Sequence, residues 1–306
     1  SPHEVEDLYE AFGDNEKFDA LYEKYERSRS VWKETVNARQ LFNQYCQERI
    51  GTGRMYLMNM DHVNSHSSFN EKITMSNLCQ EITLPTYPIN HIDDDSDDAG
   101  EIALCVLAAF NVGALKSLNE IEEIALNMVR GLDFVIENQF YPVSASLKMT
   151  KRRSIGVGIT NLAYWHAKRS LKYGEKDALQ EVKTWMEHQA YYLTEATIDL
   201  AKERGKCVDS DKTRYGQGIF PWELRAEGVN QLADFTPELE WETLRIDMKQ
   251  YGVRNATLMA IAPVESSSVV INSTNGIELP MSLISTKESK AGSLTQVVPE
   301  YQKLKS

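Results

Sequence analysis

Asn77, Cys79 and Glu81 stand at alternate positions in the stretch SNLCQEITLPT and bring an amide, a thiol and a carboxylate together. In an extended chain alternate side chains project to one side, so these three face one way and Leu78 and Gln80 the other. Pro85 and the alternation of apolar residues favour the extended reading over a helix. Redox or nucleophilic chemistry at the thiol is open to such a trio; so is the plainer reading of a small buried cysteine beside two surface polar residues. Cys105, in GEIALCVLAAFNVGAL, lies 26 residues further on in a second apolar segment. A third candidate is the run Pro263, Val264, Glu265, Ser266, Ser267 and Ser268, which follows an apolar strand and precedes Val269 and Val270. A strand-to-helix turn there would expose free backbone N–H groups at the positive end of a helix dipole, and small hydroxyl residues would let a phosphate approach. Serine triplets are also common in ordinary loops.

The elements that must position these groups read as alternating strands and helices. FDALYEKYERS and VWKETVNARQLFNQYCQERI carry helical spacing, stopped at Gly51 and Gly53, and RMYLMNM reads as a strand ending at Asp61. The near-continuous apolar run around Cys105 predicts a strand buried on both faces, followed by a helix over LNEIEEIALNMVRGLDFVIEN. RRSIGVGIT predicts another buried strand, NLAYWHAKRSL a helix, and DALQEVKTWMEHQAYYLTEATIDLAKERG a long helix closed by Gly205. RNATLMAIAP predicts a returning strand. This alternation argues for an α/β parallel architecture, barrel or open sheet. The expected division is 1–205, a small subdomain rich in Gly, Pro and Trp over 206–252, and 253–306.

Composition excludes several classes. The chain has 306 residues, 42% hydrophobic and 25% charged, enough for a sizeable core. Its net charge of −12 repels a phosphate backbone, so nucleic acid is not an expected partner. No apolar run is long enough for a membrane helix, and the acidic start SPHEVEDLYE is unlike a signal peptide, so a cytoplasmic location is expected. Cys46, Cys79, Cys105 and Cys207 are too scattered for a zinc site or a disulfide scaffold. Asp93, Asp94, Asp95, Asp97 and Asp98 read as a solvated loop, and no metal site is expected at His62 and His66, which read as strand and loop. Gly156 and Gly158 lack the sixth-position glycine of a dinucleotide fingerprint and read as close-packing positions. Tyr191 and Tyr192 read as helix packing, Trp222 and Trp241 as anchors of the subdomain core, and Cys46 and Cys207 carry no assigned role. Ser1 is not a methionine and QVVPEYQKLKS ends where a helix could be starting, which suggests a fragment or one half of a split protein.

The string SNLCQEITLPT, followed by the second cysteine in GEIALCVLAAFNVGAL, resembles the catalytic large subunit of class I aerobic ribonucleotide reductase. WETLRIDMKQYGVRNATLMAIAP is similar to the signature of that subunit, and TGRMYLMNMDHVNSH, RRSIGVGITNLAYW and STNGIELP extend the resemblance in order through the chain. The resemblance implies part of a ten-stranded β/α barrel with a central finger loop, plus a small α/β subdomain. It implies that Cys79 at the loop tip becomes a thiyl radical that takes the hydrogen from ribose C3′, that Glu81 accepts the 3′-hydroxyl proton, and that Asn77 holds hydroxyl and carboxylate in line. Cys105 would be one member of the reducing dithiol, its partner lying before Ser1. The residues Pro263 to Ser268 would cradle the diphosphate.

The same resemblance implies no cofactor bound directly by this chain. A metal-containing small subunit would supply the radical, and an external dithiol of thioredoxin or glutaredoxin type the electrons. The implied partners are a ribonucleoside diphosphate, the small subunit and the missing N-terminal and C-terminal portions, the full subunit forming a homodimer. The family's effector regions, first redox cysteine, relay tyrosine pair and cysteine tail fall outside Ser1 to Ser306. An adenosylcobalamin-dependent class II enzyme and an inactive scaffold remnant are the alternatives; the second predicts a broken trio, and Asn77, Cys79, Glu81 and Cys105 are intact.

Overall fold

The computed structural model describes residues 2–96, 100–232, 236–289 and 292–304. The chain forms two compact units, Ser1–Ser67 with Glu71–Thr86, and Ser68–Asn70 with Tyr87–Ser306.

In the first unit, the short α1 (Glu6–Glu10) precedes α2 (Asn15–Arg27), whose first turn is capped by Asp14 accepting from Lys17 N at 3.1 Å. The helix α3 (Ala38–Thr52) starts at Asn37, whose Oδ1 accepts from Gln40 N, and ends at Gly53 with φ of +66°. The helical reading of VWKETVNARQLFNQYCQERI therefore holds only from Ala38, because a good cap at Asn37 sets the start. The stretch expected as a strand before Asp61 is irregular, with Met55 at φ +66°. It leads into α4 (Met60–Ser65), so His62 and His66 lie on a helical turn and at its C-cap rather than on a strand and loop. His66 Nδ1 is 2.8 Å from His62 O. The amide of Asn64 on α4 both accepts from Ile73 N, at 2.8 Å, and donates to Ile73 O, at 3.0 Å, imitating a strand partner for a fully buried residue. This contact ties the arm that leads to Cys79.

The second unit is built on two parallel strands, β1 (Val106–Asn111) and β2 (Ile155–Thr160), paired from Val106↔Ile155 to Asn111↔Thr160. Between them run α5 (Glu120–Asn138) and the short α6 (Ser144–Leu147). On α5, Ile121, Ala125, Val129, Leu132 and Ile136 recur every three or four residues and form one buried stripe. β2 is followed by α7 (Leu162–Ala167) and α8 (Lys176–Arg204), and α8 packs its Trp185 and Leu193 into the same core. Each large aliphatic side chain buried there contributes about 1.5–3 kcal/mol. Every residue of β2 is buried, as its sequence predicts, but β1 is mostly half-buried rather than covered on both faces. The reason is that, among the described residues, β1 has a strand on one side only.

After α9 (Glu227–Leu232) and α10 (Trp241–Tyr251), the expected strand RNATLMAIAP reduces to a parallel bridge, Val157↔Met259, with Val157 N donating to Leu258 O at 2.8 Å. Then come α11 (Glu265–Val270), the antiparallel hairpin β3 (Ile284–Ser289) and β4 (Gly292–Val297), and α12 (Tyr301–Leu304). The architecture is mixed α/β with few short strands, and no closed barrel forms among the described residues. Phe220, Trp222 and Trp241 cluster with ring centroids 4.8–6.1 Å apart, and Tyr191 meets Trp241 edge-on at 5.4 Å. Asp94 accepts from the Ser96 N–H and hydroxyl, and the hydroxyl bond is the main cause holding its carboxyl below the usual range. Asp97 and Asp98 lie outside the described residues. No helix among the described residues is long and apolar enough to cross a membrane.

Candidate functional site

Asn77 to Ile82 do not form a strand. Asn77 N donates to Ile82 O at 3.2 Å, Ile82 N to Asn77 Oδ1 at 3.1 Å and Gln80 N to Asn77 O at 3.3 Å, closing a tight turn. Gln80 takes the left-handed conformation, φ +61°, that such a reversal demands. The same-side argument from alternate positions therefore fails, and a different geometry replaces it. The turn folds Asn77 back on Glu81, and Asn77 Nδ2 donates to Glu81 Oε1 at 2.6 Å. Cys79 lies between them at the tip and is exposed, not a buried small hydrophobe. The second carboxylate oxygen, Glu81 Oε2, is buried and has no hydrogen-bond partner among the described residues. An acceptor withheld from water and left unpaired is available to a donor from outside the chain.

The second unit carries the other candidates. Cys105 precedes β1 directly and its Sγ is 3.9 Å from Val106 O. On β2, Ile155, Val157 and Ile159 join the helix-covered core, whereas Gly156 and Gly158 leave the opposite face bare. A methyl group at Gly156 would come within 2.9 Å of Ala260 Cβ and 3.3 Å of Cys105 Sγ, and one at Gly158 within 2.8 Å of Ala260 O. These glycines let the thiol and the segment 260–262 approach the strand closely.

That segment leads into the serine turn. Pro263, Glu265, Ser266 and Ser267 are exposed, and Val264 and Ser268 are buried. The backbone N–H groups of Glu265, Ser266 and Ser267 have no partner among the described residues. Ser267 Oγ donates to Val264 O at 3.2 Å and Ser268 Oγ to Glu265 O at 2.8 Å, so these two hydroxyls serve the helix, while that of Ser266 has no partner among the described residues. Beside the turn lies a cavity of about 370 Å³ bordered by Glu265, Thr274, Asn275, Glu278 and Gln296, and the Oδ1 of Asn275 is buried with no hydrogen-bond partner among the described residues. Sequence reasoning missed this loop, Ser273 to Gly276, as part of the site. Its signal was the polar NSTNG run directly after the apolar Val269, Val270 and Ile271.

Cys207 contrasts with Cys79. It is almost fully buried, and burial followed by the charge of Asp209 pushes its thiol up from 9.0 to about 12. At pH 8 that shift leaves about 1,000-fold less thiolate than an unperturbed thiol would have. Brief treatment of the folded chain with a maleimide should therefore modify Cys79 and spare Cys207 until urea is added. Peptide mass spectrometry reads the outcome, and early modification of Cys207 would contradict its burial. Among the described residues no group of three or more His, Cys, Asp or Glu is placed to hold a metal ion.

Comparison with known proteins bears on the whole chain. It is 45% identical over 311 residues to the ribonucleoside-diphosphate reductase subunit alpha of Buchnera aphidicola from Schizaphis graminum, covering 100% of this chain and 40% of the relative. It is 44% identical to ribonucleoside-diphosphate reductase 1 subunit alpha of Escherichia coli K12, covering 99% of this chain and 40% of the relative. For the subunit alpha of Enterobacteria phage T4 the identity is 41%, with the same two coverages of 99% and 40%. The chain thus spans about two fifths of the length of these relatives. Residues 1–306 match the family described as "Ribonucleotide reductase, barrel domain", and the chain belongs to that family.

Proposed function

We propose that this chain forms the radical-bearing part of the catalytic subunit of a class I ribonucleoside-diphosphate reductase, which converts ribonucleoside diphosphates to 2′-deoxyribonucleoside diphosphates. The observation that carries the reading is the turn that joins Asn77 to Glu81 at 2.6 Å around Cys79 and leaves Glu81 Oε2 without a partner among the described residues. In this reading the Cys79 thiyl removes the hydrogen from ribose C3′. Glu81 takes the proton of the 3′-hydroxyl, and Asn77 holds the carboxylate in the orientation that receives it. The 2′-hydroxyl leaves as water. Two electrons and two protons come from a dithiol of which Cys105 is one member; the second cysteine lies outside Ser1 to Ser306, and the pair ends as a disulfide. Glu81 gives its proton back to the 3′-oxygen, and Cys79 returns its hydrogen to C3′ and regains the radical. The unpaired N–H groups and Ser266 at the start of α11 are suited to hold the diphosphate.

The relatives carry the name subunit alpha, which supports a partner subunit. We assign to it the metal-containing radical store, with an external thioredoxin or glutaredoxin dithiol as reductant and no cofactor held by this chain. In the same reading 1–205 and 253–306 contribute to one ten-stranded barrel with Cys79 on its finger loop, 206–252 forms a small subdomain, and the full subunit is a cytoplasmic homodimer.

The test supplies the remaining segments, in one polypeptide or as complementary pieces, with the small subunit and dithiothreitol. Deoxynucleoside diphosphate should form from the ribonucleotide. Absence of product with every component demonstrably folded and the radical store filled ends the proposal.

A further inference from the structure

A polar chain runs from the ends of the two parallel strands to the serine turn, and apart from Ser268 in that turn none of its members has been given a role above. At its centre is Asn161, which follows β2 directly and stands at the N-cap of α7. Its backbone is left-handed, φ +72°, a conformation that asparagine tolerates and most residues do not. Its side chain uses both ends of the amide. Nδ2 donates to Asn111 Oδ1 at the end of β1 at 2.9 Å, and Oδ1 accepts from Thr274 N at 3.0 Å and from Thr274 Oγ1 at 3.2 Å. The Asn161 N–H donates in turn to Thr274 O at 3.0 Å, and Thr160 Oγ1 donates to the same oxygen at 2.9 Å.

From Thr274 the connection reaches the turn in one step. Ser273 N donates to Ser268 O at 2.8 Å, and Ser268 is fully buried in α11. Gln296 on β4 donates to Ser273 O at 2.9 Å and holds the loop from its other side. Room for the amide exists because residue 113 is glycine, since a methyl group there would lie 2.3 Å from Asn161 Nδ2.

We infer that Asn161 is a positioning residue for substrate binding: it locks the Ser273–Thr274 loop to the strand ends and so sets where the serine turn presents its N–H groups to the diphosphate. This inference rests on the reading of Pro263 to Ser268 as the phosphate cradle. An amide is required because the site asks for one donor and one acceptor. Aspartate keeps the acceptor but places a negative charge against Asn111 Oδ1. Glycine keeps the left-handed backbone and loses all three side-chain bonds, which separates the role of the side chain from backbone strain.

The experiment uses the full-length subunit with its small subunit and dithiothreitol, and compares N161G, N161D and G113A with the unaltered enzyme. Loss of positioning removes binding energy that ground state and transition state share. In N161G the KM for a ribonucleoside diphosphate should therefore rise about tenfold or more, with kcat kept within about twofold. N161D should show a smaller rise. G113A should reproduce N161G, because its methyl group takes the space of the amide. An unchanged KM in folded N161G overturns the inference, and so does a fall in kcat at constant KM. Should N161G not accumulate as folded protein, N161D is judged by the same two criteria. Failure of the unaltered enzyme to turn over, by contrast, strikes the functional reading and not the role of Asn161.

Discussion

Replacing Cys79 by serine should reduce turnover by at least about 10⁴-fold and leave substrate affinity within about twofold. Serine has nearly the same size and fits the same turn, whose closing bonds come from the backbones of Asn77, Gln80 and Ile82 and from the Asn77 amide, not from the thiol. The geometry should therefore survive. What changes is the strength of the bond to hydrogen. An S–H bond can surrender its hydrogen to a radical relay and retake one from carbon, whereas an O–H bond is too strong for the same exchange. A 10⁴-fold loss corresponds to a barrier raised by about 5.4 kcal/mol, below what that difference in bond strength imposes. Single-turnover assays with the assembled enzyme measure the rate, and equilibrium dialysis with labelled ribonucleoside diphosphate measures binding. Residual turnover above about one part in a thousand would remove Cys79 from the chemistry.

The second large effect concerns stability. Asp133, fully buried on α5, accepts from Arg153 Nε at 2.5 Å and from Arg254 Nε at 3.2 Å, and Arg204 Nη1 lies 3.9 Å away. One carboxylate thus gathers guanidinium groups from the entry to β2, the C-terminal end of α8 and the segment after α10. Asp133→Ala removes the buried carboxylate that answers Arg153 and leaves it to the main-chain oxygen of residue 133 and the half-exposed Glu137, 3.8 Å away, which is the costly way to break such a cluster. The chain should lose roughly 3–5 kcal/mol of unfolding free energy, read from urea denaturation by tryptophan fluorescence. Asp133→Asn, which keeps the shape and one acceptor, should lose less. A loss below about 1 kcal/mol for the alanine variant would mean that the arginines find other partners.

These two sites differ in how far the amino-acid order revealed them. Cys79 and Glu81 stood out by type, and the core stripe of α5 and the buried run of β2 followed from apolar periodicity, because burial of one face leaves a local trace. The network at Asp133 left none. Its members are separated by up to 121 positions, and nothing local distinguishes these arginines from solvated ones. The turn at Asn77 was misread for a related reason. Its two arms alternate like a strand, and what reverses the chain is a side chain bonding across it, an interaction that alternation does not encode.

Residue chemistry and order were thus enough to single out the thiol, the carboxylate, the amide and the serine run as candidates and to place β2 and the helices around it, though not the strands expected at RMYLMNM and RNATLMAIAP. Folding in space settled what they touch: that Asn77 closes on Glu81, that Gly156 admits Cys105, and that Asn161 ties Thr274 to the strand ends. The division has a physical cause. Hydrophobic period and capping act over a few residues and are written locally, whereas a buried polar group can be satisfied by any partner that the fold brings within about 3 Å, however distant along the chain.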